Sequence, residues 1–243
     1  MIHDSFEETF LGKQKILVIM GHPDDCEIVC GGTIARLAHS GRLVRLLVTT
    51  TGGKGFQNKD ITEKEFTKVR LKEQISGGLE LGISQKENFN LEIPDGELET
   101  STENIAKVVY HIRDFKPDLI ITHHPAKFIV EFSRTSHWVN HRDHRNTGII
   151  AFDAAYPCAR DRGFFPEQFQ VGLAPHKVHD FLLADSYGDE NVRYFQIDKY
   201  IGQKKKALMA HKSVFSKQDV EDLVGENRRE GNYLEPLGFI SIY

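Results

Sequence analysis

The chain has 243 residues, 40% of them hydrophobic and 27% charged, and a formal net charge of -4. That length suits one α/β domain able to bury a core without disulfides, and the charge balance gives no reason to expect a nucleic-acid partner. No run approaches the ~18 consecutive apolar residues of a membrane span, the N-terminus lacks a signal-peptide core, and the odd count of three cysteines, Cys26, Cys30 and Cys158, fits reduced thiols in a cytoplasmic setting.

Residues 1–14 read as a partly ordered lead-in. Residues 15–20 are a short apolar run and read as a buried parallel strand. The strand runs straight into Gly21-His22-Pro23-Asp24-Asp25-Cys26-Glu27. A helix is expected over 28–39, stopped by Gly41 in the manner of a C′ glycine. One imidazole and two carboxylates therefore fall at the carboxyl end of a strand, where open α/β sheets bind their ligands, on a turn stiffened by the fixed φ of Pro23. Residues 43–50 predict a second apolar strand. It leads into Thr51-Gly52-Gly53-Lys54-Gly55, which lacks the spacing of a Walker loop and reads as a flexible rim over a pocket.

The pattern predicts a helix over 61–82, with Arg70 and Glu73 on one face as either a surface ion pair or a substrate contact. A short strand over 89–93 ends in the turn signal Pro94-Asp95-Gly96, which leaves Asp95 at a strand end. An amphipathic helix over 102–115 stops at Lys116-Pro117. A buried strand over 118–122 then closes in His123-His124-Pro125 on the same sheet edge. Residues 126–140 read as a loop whose Phe128, Ile129, Phe132 and Trp138 pack or cap a pocket. His141-Arg142-Asp143-His144 opens a helix running to 159 and puts His141 and His144 on one face.

After an irregular stretch over 157–177, strands are expected over 178–184 and 193–197. A helix comes next over 200–215, whose Lys204-Lys205-Lys206 run reads as a solvated face. A short helix over 219–229 and an apolar, docking tail over 233–243 complete the chain. This order predicts a Rossmann-like, three-layer α/β fold with a mainly parallel sheet. It is read as a single domain over 1–243, with a core over 15–215 and a C-terminal extension over 216–243.

The side chains of Asp24 and Asp25 diverge, so one can bind a cation while the other faces whatever the cation binds. Imidazole and carboxylate are ligands that zinc accepts, and catalytic zinc takes three protein ligands plus water. His22, Asp25 and His144 make a coherent set for zinc, and Fe(II) or another divalent ion also fits such donors. Cys26, His123 and His124 are rivals for the third position. The two histidines could equally line the pocket wall, and Cys26 could simply be a packed thiol. The bland reading of the first motif is a turn with an aspartate helix cap.

The chain resembles the LmbE-like, or PIG-L, de-N-acetylases. The resemblance rests on Gly21-His22-Pro23-Asp24-Asp25-Cys26-Glu27 with Gly31-Gly32-Thr33 after it, Arg70-x-x-Glu73 before Leu81-Gly82, and Pro94-Asp95-Gly96. It continues through Pro117-Asp118-Leu119-Ile120-Ile121-Thr122-His123-His124, His141-Arg142-Asp143-His144-Arg145, and Lys206-Ala207-Leu208 before His211-Lys212-Ser213. It implies zinc held by His22, Asp25 and His144, Asp24 as general base toward the hydrolytic water, His141 as oxyanion stabiliser, and Asp143 as the group that orients His141. Arg70 and Asp95 fall at sugar-binding positions, and His124 is assigned to the same side. The implied activity is hydrolysis of the N-acetyl group of an N-acetylglucosamine-type sugar or conjugate, releasing acetate and a free amine. The implied protein is a homo-oligomer with a small-molecule substrate and neither nucleic acid nor membrane as partner.

Two positions depart from the family pattern: Cys26, where Glu is frequent, and Arg142, where Pro is frequent. The 126–140 loop varies among relatives and carries no specificity across. Two alternatives stand beside this reading. One is an amidase acting on a sugar–thiol conjugate. The other is a non-enzymatic sugar- or nucleotide-binding module using the Gly52–Gly55 loop, which fold alone does not exclude.

Overall fold

The computed structural model describes residues 2–56, 60–131 and 137–242. It begins with a short helix, α1 (Phe6–Phe10), where the sequence suggested a loose lead-in. Phe6 and Phe10 lie four apart on one helical face, both are buried, and Phe10 meets Phe195 at 5.6 Å between ring centroids. Two aromatic rings on one face are enough to dock so short a segment.

The chain continues through β1 (Lys15–Met20), α2 (Asp25–His39), β2 (Leu43–Thr50), α3 (Glu63–Glu80), β3 (Asn88–Ile93), α4 (Thr102–Phe115) and β4 (Leu119–Thr122). The segment expected as a plain loop holds a two-stranded antiparallel ribbon, β5 (Ile129–Glu131) with β6 (His137–Val139). Phe132, singled out with its neighbours, lies outside the described residues. Helix α5 (Arg142–Asp153) runs into a wider turn, Ala154–Ala159, and then come α6 (Glu167–Gln170), β7 (Asp180–Leu183), β8 (Val192–Gln196), α7 (Ile201–Ala210), α8 (Lys217–Gly225), β9 (Arg228–Arg229) and β10 (Asn232–Ser241).

The main sheet has the order β3-β2-β1-β4-β7-β10-β8. Strands β3, β2, β1, β4 and β7 pair in parallel, and β10 runs antiparallel to both β7 and β8. The mixed α/β architecture with a mostly parallel sheet is the one expected. The apolar tail does more than dock: it is an interior strand bonded on both edges, with Leu234 and Leu237 buried. Strand β1 is apolar throughout because both its faces are covered. Ile16, Val18 and Met20 pack into the core containing Ile34 and Leu37 of α2, while Leu17 and Ile19 pack into the one containing Ile112 of α4 and Ile150 of α5.

Two neighbours define the site. Strand β2 lies on one side of β1 and β4 on the other, so the chain reverses its winding at β1 and opens a crevice beyond the strand carboxyl ends.

The lysine run on α7 is not a uniform solvated face. Lys204 and its partner Glu235 on β10 are both fully buried, 2.7 Å apart. Helix α2 is broken at Cys30 (φ -143°, ψ 24°), which frees backbone groups in mid-helix. Glu235 accepts from Gly32 N, Thr33 N and Thr33 Oγ1 at 2.9, 2.7 and 2.6 Å, capping the second half of α2. Lys204 Nζ donates to Ile28 O at 2.8 Å on the other side of the break, and to Asn227 Oδ1 at 2.8 Å.

Candidate active site and metal centre

The sequence Gly21–Asp25 turns the end of β1 into the start of α2. Asp24 occupies the N-cap position with φ 137°, a conformation that an L-residue holds only where the surroundings dictate it. Gly21 is required by space, since a Cβ there would lie 2.8 Å from His144 Cδ2 and 3.1 Å from Asp25 Oδ2. Gly148 serves the same end from α5, where a Cβ would lie 2.5 Å from His123 O, so its absence lets α5 close on the end of β4.

Three donor atoms converge in this crevice. His22 Nδ1 lies 3.0 Å from His144 Nε2, and Asp25 Oδ2 lies 3.3 Å from the first and 3.2 Å from the second. In a tetrahedral zinc site with bonds of ~2.0–2.1 Å, neighbouring ligand atoms stand roughly 3.3 Å apart. The triangle therefore already has the edges of a metal polyhedron, and its nitrogen and oxygen donors suit a divalent ion.

A supporting contact fixes which lone pair His144 offers. Asn140 is fully buried, and its Nδ2 donates to Lys127 O at 3.1 Å and faces Asp185 Oδ2 at 3.5 Å. That fixes the amide orientation and turns Oδ1 toward His144 Nδ1 at 3.1 Å. His144 accordingly carries its hydrogen on Nδ1 and presents Nε2 unprotonated to the site. On His22 the far nitrogen, Nε2, faces Asp95 Oδ1 at 3.4 Å and Asp143 Oδ2 at 3.5 Å. Burial works against charge on His22, but bonds to Asp143, Asp25 and Asp95 outweigh it and hold its pKa well above the ordinary histidine value. Burial alone would raise the pKa of Asp25, yet the imidazoles of His144, His123 and His22 packed around its Oδ2 bring it well below the usual carboxylate range.

His123 stacks on His144, with ring centroids 4.0 Å apart. It sits between two carboxylates, Nε2 3.3 Å from Asp25 Oδ2 and Nδ1 3.3 Å from Asp185 Oδ2. Against the opposing effect of burial, those carboxylates raise its pKa to about 9. Asp185 was not singled out in the sequence, although it comes two residues after β7 on the ligand-binding edge and the strand-end rule alone points to it. Asn140 carries no such signal.

Asp24 is buried and its Oδ2 lies 2.9 Å from Arg70 Nη2. Burial and neighbouring Asp25 push its pKa up to about 6, with Arg70, His211 and His22 opposing. Arg70 and Glu73 form no surface pair: both are buried, 3.5 Å apart, and the Arg70 guanidinium also donates to Pro23 O. Glu73 in turn accepts from Ser213 N and Oγ. His211 and Glu27 lie beneath this group, Nε2 to Oε1 at 3.5 Å.

Asp95 accepts from Lys54 N at 3.0 Å, which ties the glycine-rich rim to the site. Burial would raise its pKa, but bonds from His22 and Lys54 take it down to about 2. His141 is half-exposed, with its ring 4.7 Å from that of His22. Its Nδ1 accepts the Asp143 backbone N–H at 3.1 Å, which leaves Nε2 as the hydrogen-bearing nitrogen of the neutral ring. The Asp143 carboxylate accepts from Gly96 N at 2.7 Å and lies nearer His22 than His141 Nδ1, which is 4.0 Å away. His124 bends back, accepting from Ala126 N at 3.1 Å. Cys26 is a buried core thiol whose pKa burial raises, and it takes no part in the donor triangle.

A cavity of about 1040 Å³ opens from Asp25, His141 and His144 and extends to α8. Fold and site together define an α/β protein with a cluster of His and Asp donors at its sheet edge that could hold a divalent metal. The family model PIG-L, described as GlcNAc-PI de-N-acetylase, matches residues 17–155, and the chain belongs to that family. It is 30% identical over 220 residues to a diacetylchitobiose deacetylase of Thermococcus kodakarensis, covering 89% of this chain and 75% of that protein. Among solved structures, the N,N'-diacetylchitobiose deacetylase of Pyrococcus horikoshii in complex with its inhibitor superposes with a TM-score of 0.81 at 25% identity, covering 98% of this chain and 86% of that one. A 4-carboxy-2-hydroxymuconate hydratase of Pseudomonas putida, at 16% identity, a TM-score of 0.71, and 95% and 96% coverage, shares the fold alone. Among the described residues no helix is long and apolar enough to cross a membrane.

Proposed function

We propose that this protein is a metal-dependent hydrolase that removes the N-acetyl group from an N-acetylglucosamine-type sugar, releasing acetate and a free amine. The observation that carries the reading is the triangle of His22 Nδ1, Asp25 Oδ2 and His144 Nε2 at one end of a cavity of about 1040 Å³, in a member of the PIG-L family. Its likeness to diacetylchitobiose deacetylase supports the substrate class. His22, Asp25 and His144 would hold the ion, with zinc the first candidate and Fe(II) also compatible with the donors. When bound, such an ion supplies Lewis acidity toward the amide carbonyl and toward water.

The remaining chemistry belongs to the chain. Asp24, steadied by Arg70, takes a proton from the water that adds to the acyl carbon. The carbonyl π electrons move onto oxygen, and His141 Nε2–H donates a hydrogen bond to the oxyanion; losing one such donor costs about 10²–10³ in rate. The C–N bond then breaks, the proton held by Asp24 goes to the departing nitrogen, and the carbonyl re-forms as acetate. Asp95 and Asp143 hold the far nitrogen of His22.

The test is acetate release from N-acetylglucosamine and N,N'-diacetylchitobiose by metal-loaded and chelated protein, together with Asp24→Asn. Release should vanish on chelation and fall at least a thousandfold in the variant while metal stoichiometry stays the same. Full activity after complete metal removal, or in Asp24→Asn, would refute the assignment.

A further inference from the structure

The segment His211-Lys212-Ser213 follows α7 and grips the helix that carries Arg70. Ser213 N and Oγ donate to Glu73 at 2.8 and 2.5 Å. His211 is fully buried, and its backbone is pinned by bonds to Leu208 O and from Val214 N and Phe215 N. Its Nδ1 lies 3.4 Å from Arg70 Nη1. A guanidinium only donates, so Nδ1 accepts and the ring hydrogen sits on Nε2. Burial opposes charge on this ring and the Glu27 and Asp24 carboxylates favour it, with the balance upward; a hydrogen on Nδ1 would still point at the Arg70 N–H, so the contact selects the neutral form. Nε2 faces Glu27 Oε1 at 3.5 Å and, among the described residues, finds no hydrogen-bond partner at full bonding geometry. Gly77 of α3 makes room for this pair, since a Cβ there would collide with Glu27 Oε1 and stand 2.9 Å from His211 Nε2. An apolar side chain of similar size would fill the space without the cost of burying an unsatisfied N–H. Both nitrogens instead face charged groups, and the line Glu27–His211–Arg70 ends on Asp24 Oδ2, 2.9 Å from Arg70 Nη2.

Resting on the deacetylase reading, we infer that His211 is a positioning residue for the base, with Glu27 setting its tautomer: by accepting from Nη1, it turns the Arg70 guanidinium so that Nη2 meets Asp24. Arg70 is buried and also engages Pro23 O and Glu73, so its orientation is fixed from three sides. Asp24 needs such support because its φ of 137° is one an L-residue holds only under constraint. Moving a reacting group by about 1 Å costs on the order of 10²-fold in rate. His211 does not line the cavity. Loss of its contact with Arg70 should therefore appear in kcat and leave KM unchanged.

The test compares wild type, His211→Leu and His211→Asn, zinc-loaded and in mildly alkaline buffer, by kcat and KM for acetate release from N,N'-diacetylchitobiose per folded, zinc-bound chain. Leucine fills the space and accepts nothing. Asparagine puts its carbonyl oxygen where Nδ1 stood and its amide toward Glu27. His211→Leu should lose about 30–100-fold in kcat with KM within about twofold, and His211→Asn should recover most of that loss. A long-range proton–nitrogen NMR spectrum of the imidazoles, with the His211 signal assigned by its absence in His211→Asn, needs no turnover. It should show the ring hydrogen on Nε2 in the wild type and a hydrogen on Nδ1 in Arg70→Met, where nothing donates to that nitrogen. If leucine prevents folding, this pair of spectra and His211→Asn decide the matter. A His211→Leu kcat within about threefold of wild type, a loss that asparagine does not restore, a change carried in KM, or a hydrogen on Nδ1 in the wild type overturns the inference and leaves the deacetylase reading in place. No acetate release by the wild type sinks the deacetylase reading, whereas a Nδ1 hydrogen that appears only in Arg70→Met would still show His211 holding Arg70.

Discussion

Replacing Lys204 by Met tests whether the interior ion pair supports the break in α2. Lys204 and Glu235 are fully buried, and between them they satisfy Ile28 O, Asn227 Oδ1, Gly32 N, Thr33 N and Thr33 Oγ1. Methionine fills most of the lysine volume but leaves a buried carboxylate without its counter-charge and strips the donor from Ile28 O and Asn227 Oδ1. Breaking one partner of a buried pair costs about 3–5 kcal/mol. For a chain of this size, that corresponds to a melting-temperature drop of about 6–20 °C. Adding Glu235→Gln removes the stranded charge while its side-chain carbonyl still accepts from Thr33, so the double variant should recover about 1–3 kcal/mol. Urea unfolding and a thermal melt of wild type, Lys204→Met and Lys204→Met/Glu235→Gln measure both steps. A single-variant loss below about 1 kcal/mol, or a double variant less stable than the single, would refute the claim that this pair holds the two halves of α2.

Three further outcomes are expected. Asn140→Leu removes the acceptor that sets the His144 tautomer and should weaken metal binding about 10–100-fold in a competitive chelator titration; wild-type affinity would show that His144 is oriented by other means. Gly21→Ala should also lower metal affinity with the fold intact by circular dichroism, because its Cβ would stand 2.8 Å from His144 Cδ2. His111 lies buried beneath Phe89, with its pKa taken down to about 4 by burial and by Arg45. The unfolded chain then binds this proton near pH 6.5 and the native one only near 4, so stability is full above about 6.5 and falls as the pH drops through that window, by about 2 kcal/mol from pH 7 to 5. His111→Leu should remove that share of the pH slope in urea unfolding, and an unchanged slope would count against a neutral buried His111.

The local pattern of this chain determined most of its elements and the first half of its centre. The apolar run over Lys15–Met20 can only be a strand covered on both faces, and residues just past the end of such a strand land at the ligand edge, so His22, Asp24 and Asp25 were legible as a group. The four-residue rhythm of Thr102–Phe115 and its Lys116-Pro117 stop were equally plain. Tertiary structure alone decided which remote side chains complete those groups. Asn140 and Asp185 matter through the nitrogen of a histidine they touch; a strand end marks Asp185 for the ligand edge, but nothing near Asn140 in the sequence records its touch. By spacing Arg70 reads as half of a surface ion pair or as a substrate contact, yet closure of α3 over the β1 turn brings it onto Asp24. Lys204 reads as one of three solvated lysines until β10, some thirty residues later, delivers Glu235 beside it. The difference is physical. Periodicity reports which face of an element is buried, whereas the partner of a buried charge is chosen by chain closure over long sequence distances, which no local pattern encodes.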